Sequence, residues 1–247
     1  LTGDGYLVRR QPYEVPGIAC SNLEVEIRGK VRPNEIVVVG AHYDTVAHSP
    51  GANDNGSGVA GLLALAHLFA RSQPGRTLRF VAFVNEELPY AHTPLMGSRV
   101  YARRCRERGE NVVAMLCLET IGYYSDQPGS QHYPPMLKRL FPAKANFIAF
   151  IGNTRCGRLV RHAVAEFRGR EKFPCQGASL PECLSDISRS DHWSFWQEGY
   201  PAVMVTDTGN FRGPHYHTPG DTADKVDMER TARVIRGLHG VIESLVR

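Results

Sequence analysis

The chain has 247 residues, 42% of them hydrophobic, which suits one ordinary globular core at the upper end of single-domain size. Its 29 Lys and Arg exceed its 25 Asp and Glu by four, and this weak, scattered excess argues against a nucleic-acid surface. The densest basic run, Arg103-Arg104-Cys105-Arg106-Glu107-Arg108, carries a glutamate and reads as a solvated helix face.

No segment reaches the ~18 consecutive apolar residues that a membrane span needs, and the longest apolar helical stretch, 59–70, contains His67. The chain begins at Leu1, so a mature or trimmed form is expected, and a missing leader says nothing of location. The six cysteines include no CxxC pair, which argues against a cysteine zinc site. Cys117 reads as buried packing, whereas Cys175 and Cys183 bracket a loop and either bridge or stay free. The compartment is left open, with a periplasmic or secreted one the expectation.

In chain order, apolar β-branched runs predict strands over 23–28 and 35–41, followed by a helix over 57–72. A strand over 77–84, a helix over 97–108 and strands over 112–118 and 146–151 come next. Helices over 158–168 and 191–198, a strand over 201–206 and a closing helix over 228–246 complete the chain. Strands that are apolar throughout, rather than at alternate positions, imply burial on both faces. That predicts an α/β fold with helices above and below a mostly parallel sheet. There is no internal repeat or linker. The segment 122–145 breaks the pattern with four prolines (Pro128, Pro134, Pro135 and Pro142), and a long irregular stretch in a compact domain is expected to border the functional site.

The chemistry-bearing residues cluster where strands end, the place where open α/β sheets bind ligands. His42 and Asp44 follow one strand, Glu86 and Glu87 a second, Glu119 a third, and His217 comes after the last. Adjacent side chains in a strand point to opposite faces, so Glu86 and Glu87 can share a site only where the backbone turns. Asp44 is placed to hold the second ring nitrogen of His42. Asp54 stands in a glycine-rich segment, 51–58, that lacks the phosphate-loop pattern, and its carboxylate would repel phosphate and attract a cation. His215 and His217 compete for one ligand position, and the residues alone do not separate them. The carboxylates of Asp54, Glu87 and Glu119 balance two divalent cations and one hydroxide, which predicts a two-metal centre with ions ~3.5–4 Å apart. Nitrogen and oxygen donors suit zinc, with manganese and cobalt as alternatives. Of the Glu86-Glu87 pair, one carboxylate binds metal and the other takes a proton.

Six stretches in this order closely resemble the M28 family of metallopeptidases, the zinc aminopeptidases of bacteria. They are Gly40-Ala41-His42-Tyr43-Asp44-Thr45, Gly51-Ala52-Asn53-Asp54-Asn55-Gly56-Ser57-Gly58, and Asn85-Glu86-Glu87. The others are Leu118-Glu119-Thr120-Ile121-Gly122-Tyr123-Tyr124, Ser190-Asp191-His192, and Tyr216-His217-Thr218-Pro219-Gly220-Asp221-Thr222. The resemblance covers most of the chain and implies one α/β/α domain over 1–247 with a mixed sheet. It makes Asp54 the ligand bridging two zinc ions, with His42 and Glu119 completing one site and Glu87 and His217 the other. It favours His217 over His215, since the family's ligand precedes Thr-Pro-x-Asp-Thr. Glu119 departs from members that carry aspartate there. Tyr216 resembles a tyrosine that polarises the scissile carbonyl in some members, Asp191-His192 has no assigned role, and a cis peptide is implied between Asp54 and Asn55.

The implied reaction is hydrolysis of an N-terminal peptide bond in peptide substrates, with Glu86 as general base and Tyr216 assisting at the oxyanion. Three rivals remain: a single-zinc glutaminyl cyclase, a metal-free binding module of the same fold, and a carboxypeptidase in which Arg155, Arg189 or Arg212 grips a terminal carboxylate. Side-chain preference and oligomeric state stay open.

Overall fold

A computed structural model describes every residue except Pro135, Met136 and Arg139, so the predicted loop 122–145 is described apart from these three positions. Eight strands form one sheet: β1 (Arg9–Val15), β2 (Ile18–Ile27), β3 (Arg32–His42), β4 (Arg76–Phe83), β5 (Asn111–Glu119), β6 (Ile148–Asn153), β7 (Cys175–Leu180) and β8 (Ala202–Thr206). Their spatial order is β1-β2-β4-β3-β5-β8-β6-β7. The central run β4-β3-β5-β8 is parallel throughout, whereas β1-β2, β2-β4 and β6-β8 are antiparallel. The five helices are α1 (Gly56–Phe69), α2 (Gly97–Glu107), α3 (Gly157–Arg170), α4 (His192–Gln197) and α5 (Met228–Leu245). Helices α1 and α3 both pack on α5 and on the sheet, while α2 packs with α4, also against the sheet. The result is a three-layer α/β/α sandwich with a mixed sheet.

The strands read from apolar runs form the centre of this sheet. Val37, Val38 and Val39 of β3 and Met115, Leu116, Cys117 and Leu118 of β5 are all fully buried, so both faces of each strand are covered by helices. The sequence reading missed β1, β7 and the first half of β2. Both missed strands are edges of the sheet. An edge strand leaves one row of backbone groups unpaired and needs no continuous apolar pattern, and it tolerates Pro12 in β1 and Gly177 in β7. Cys175 and Cys183 do not bridge: Cys175 is a buried free thiol and Cys183 an exposed one. Among the described residues no helix is long and apolar enough to cross a membrane.

One close approach positions the site. The first turn of α1 lies against the end of β5, and a Cβ on Gly58 would stand 2.6 Å from the Leu118 carbonyl oxygen and 2.2 Å from Asn55 Oδ1. Only glycine fits there. The contact brings the loop ahead of α1, which carries Asp54, beside the carboxyl end of β5, which carries Glu119.

Candidate metal centre

Because β4, β3, β5 and β8 run parallel, their carboxyl ends open on one edge of the sheet. The apolar strands stop there and the chain turns. Three of these turns use a non-glycine residue in the left-handed region: Asn85 (φ 61°), Thr120 (φ 46°) and His217 (φ 58°). Such backbone costs about 1–3 kcal/mol per residue and clusters at functional sites. The turn at Asn85 lets Glu86 and Glu87 both reach within 4.8 Å of His42, which a straight strand would forbid.

Three groups of three possible ligands result, His42 with Glu86 and Glu87 and two others that share Asp54. His42 Nε2 lies 3.3 Å from Asp54 Oδ1 and 3.2 Å from Glu119 Oε2. His217 Nε2 lies 2.9 Å from Asp54 Oδ2 and 3.2 Å from Glu87 Oε1. Asp54 therefore turns one oxygen to each of the trios that share it. Glu86 belongs to neither of these two, its Oε2 standing 3.9 Å from His42 Nε2. His215 joins no trio among the described residues.

Whether this cluster suits cations can be judged from its own polar atoms. His42 Nε2, both carboxylate oxygens of Asp54 and Glu87 Oε1 are buried, close together and without a hydrogen-bond partner. Buried polar atoms are ordinarily paired. Imidazole nitrogens and carboxylate oxygens converging in two groups of three fit a pair of divalent cations with zinc-type donors. Without them the carboxylates draw protons onto the histidines. Asp54 and Glu87 lift His217 to about 9. Burial works against charge on His42, yet Glu119 and Glu86 raise it well above the usual histidine range. Asp54 is held down to about 2, as His217 and His42 outweigh its burial. The carboxylates crowded around the two imidazoles thus favour positive charge at this place. Glu86 behaves oppositely: burial, reinforced by Glu119, Asp191 and Glu87, lifts it well above the ordinary carboxyl range against the pull of His42.

The ligand loops are braced by backbone-directed side chains. Asp44 accepts from the consecutive N–H groups of Glu86 and Glu87, both at 3.1 Å. Asp44 is also the residue beside the second ring nitrogen of His42, as expected, through both its carboxylate and its carbonyl. The Asp44 carboxylate is 3.7 Å from His42 Nδ1, and the partner of that nitrogen is the Asp44 carbonyl oxygen at 3.0 Å. The carboxylate is committed to the turn that presents both glutamates.

Asp221 does for the Asp54 loop what Asp44 does for this one, accepting from the N–H groups of Asn53 at 2.9 Å and Asp54 at 3.0 Å. Asn55 clips the same loop to β5, donating to the Leu118 carbonyl at 2.8 Å and accepting from Thr120 N at 3.0 Å. Ser190 donates to Glu119 Oε2 at 2.6 Å, which fixes the longer glutamate arm that stands in place of aspartate. Asp221, Asn55 and Ser190 were quoted in motifs without a role, since a brace on backbone N–H groups leaves no pattern of its own in sequence. Asp221→Asn, which keeps one acceptor oxygen of two, is expected to weaken zinc binding about 10–100-fold. Competition with a colorimetric chelator measures this, and wild-type affinity would show the brace to be dispensable.

The Asp191-His192 pair is fully buried. His192 Nε2 lies 2.6 Å from the Ile187 carbonyl oxygen and the ring packs edge-on against Trp196, as a core histidine does. Tyr216 stacks on His217 with ring centres 3.9 Å apart. The Asp54–Asn55 peptide is cis, as the resemblance implied.

Residues 22–242 match the model of peptidase family M28. The chain belongs to this family. It is 38% identical to uncharacterized protein YfbL of Escherichia coli K12 over 212 residues, 82% of this chain and 65% of that protein. It is 29% identical to a probable zinc metalloprotease of Pyricularia oryzae over 249 residues, 89% of this chain and 48% of that one. Among solved structures it is similar to an aminopeptidase from Aneurinibacillus sp. strain AM-1, at 25% identity and a TM-score of 0.70, over 93% of this chain and 49% of the other. The M28 chain described here thus spans between about half and two thirds of the length of these relatives.

Beside the centre, reaching Glu119 and Tyr216, opens a cavity of about 120 Å³. Its walls are mostly apolar, with Leu137, Phe141, Phe147, Leu180, Ile187 and Met204 among them. Residues of the 122–145 segment form one side, as its irregular composition led us to expect.

Proposed function

We propose that this M28 chain is a zinc-dependent aminopeptidase with a dinuclear centre. The observation that carries the reading is the position of Asp54, whose two buried, unpartnered oxygens face two separate trios. His42, Asp54 and Glu119 would hold one zinc ion, and Asp54, Glu87 and His217 the other. Bound zinc supplies Lewis-acid polarisation of a carbonyl and a lowered pKa for water. Glu86, outside both of these trios yet beside His42, is free to take a proton on its carboxylate as water oxygen bonds to the scissile carbonyl carbon. The same carboxylate then delivers that proton to the departing amine as the C–N bond breaks. Tyr216, next to His217 in the chain and stacked on its ring, would donate its hydroxyl to the carbonyl oxygen.

The neighbouring cavity supports an apolar first side chain. At about 120 Å³ it approaches the ~150 Å³ cavity that takes up benzene. Apolar side chains such as those of leucine, methionine or phenylalanine match its lining. Of the arginines considered for the carboxypeptidase alternative, Arg212 is buried and hydrogen-bonded to Gln131 and the Phe147 carbonyl, whereas Arg189 lines the cavity and leaves that alternative to the substrate panel.

A panel of aminoacyl-anilides, each with its amine free or acetylated, tests this reading. Free-amine leucyl and phenylalanyl anilides are expected to be cleaved, acetylated ones not, and a chelator should abolish turnover until zinc is restored. Preferential cleavage of blocked substrates, or turnover indifferent to chelation, would overturn it. Release of ammonia from a glutaminyl peptide without a free amino acid would favour the cyclase.

A further inference from the structure

Arg212 is 5% exposed, and among the described residues it forms no direct ion pair, the buried Asp207 acting on it only from further away. Desolvation lowers its pKa, so its charge is held at a cost. The other deeply buried arginine, Arg79, differs: Glu26 and Glu110 both pair with it. What Arg212 meets instead is backbone and one amide. Its Nη1 donates to the Phe147 carbonyl at 2.8 Å and to the Tyr123 carbonyl at 3.3 Å, while Nε donates to Gln131 Oε1 at 2.8 Å. The guanidinium also lies over the rings of Phe147 and Tyr124, 4.6 and 5.6 Å from their centres.

These partners have one thing in common. Tyr123 and Phe147 flank the irregular segment between β5 and β6, and Gln131 sits within it. Gln131 passes the connection on, donating through Nε2 to Thr208 Oγ1 at 2.9 Å, and His132 N donates to the Phe211 carbonyl at 2.8 Å. Gln131, Phe147, Thr208 and Phe211 all line the cavity beside Glu119 and Tyr216, but Arg212 does not. An apolar residue at this position would pack without leaving a buried charge. It would offer no donors to two carbonyls 24 positions apart in sequence. Both carbonyls share Nη1, so what the guanidinium adds over a simple cation is its Nε bond to Gln131 together with its flat contact on two rings, which a lysine ammonium cannot supply at once.

We propose that Arg212 is a positioning residue that clamps the two ends of the 123–147 segment and so sets the width of the cavity that receives the first side chain of the substrate. This rests on the aminopeptidase reading and adds the residue that controls its selectivity. With the clamp weakened, the wall carrying Phe141 and Phe147 loosens, and a large apolar side chain loses its contacts. An alanyl substrate, which scarcely enters the cavity, has little to lose.

The test uses Arg212→Lys and Arg212→Met, each compared with the wild type on leucyl-, phenylalanyl- and alanyl-anilides, with zinc content measured alongside. The expected result is a KM for the leucyl and phenylalanyl substrates raised ~10-fold or more, with kcat, zinc content and the alanyl KM within about threefold of wild type. Arg212→Lys keeps the charge and guards against a Met variant that does not fold. Calorimetric titration with free L-leucine and L-alanine reads the cavity without turnover, and the leucine affinity alone should fall. Equal losses for leucyl and alanyl probes, or no loss for either, would overturn the assignment. A wild type that cleaves no anilide yet binds leucine more tightly than alanine, in a manner lost in Arg212→Lys, would sink the aminopeptidase reading and leave the clamp standing.

Discussion

Glu86→Gln is expected to retain zinc at the wild-type stoichiometry while lowering kcat at least ~10²-fold. The substitution keeps the length and shape of the side chain and removes only its capacity to accept a proton. Glu86 stands outside the two trios that share Asp54, so neither loses a donor. Its backbone N–H remains bound to Asp44, and the turn that presents Glu87 should survive. Zinc content by atomic emission and kcat on a leucyl-anilide measure the two halves separately. Full activity would remove Glu86 from the role of base. Loss of one zinc would instead make it a ligand, which the grouping of Glu86 and Glu87 around His42 keeps chemically conceivable.

Asp54→Ala should do the reverse, with metal binding lost first and activity as a consequence. Each trio would fall to two donors: His42 with Glu119, and Glu87 with His217. Catalytic zinc sites ordinarily keep three protein ligands, so the fall in affinity should exceed the ~10–100-fold expected when only the support of a ligand is disturbed. Dialysis against a zinc buffer should leave less than one ion per chain, and leucyl-anilide turnover should fall to the background. Removing this acid also takes from His217 the first of the two carboxylates that raise it, whereas Glu119 and Glu86 still act on His42. A variant that still binds two ions at wild-type affinity would show that Asp54 does not bridge. Asp54→Asn separates charge from shape, because the amide preserves volume but offers a single neutral oxygen.

Much of the fold was legible because buried parallel strands have a composition of their own. The central strands β3, β4, β5 and β8 are mostly apolar over their buried lengths, and the five α-helices among the described residues were bounded to within a few residues. The edges were not legible: β1 has the sequence Arg-Arg-Gln-Pro-Tyr-Glu-Val and β7 Cys-Gln-Gly-Ala-Ser-Leu, and neither needs an apolar core face. Their pairing is decided by what lies beside them rather than by their own residues.

The acids and histidines at strand ends were visible as chemistry, because carboxylates and imidazoles gathered after apolar strands have few other uses. The sequence alone also suggested that Glu86 and Glu87 divide two tasks, which the proposed variants test, and the six motifs in their order assigned the chain to its family. Which oxygen faces which histidine was decided only by the tertiary structure. So were the bonds from Asp44 to the backbone of two glutamates, the matching brace by Asp221, and the cavity walled by a segment with no periodicity. Each of these joins positions far apart in the chain. Local preferences write themselves into a sequence every few residues, whereas a hydrogen bond between residue 54 and residue 221, or an arginine holding positions 123 and 147 together, exists only once the sheet has brought those loops to one edge.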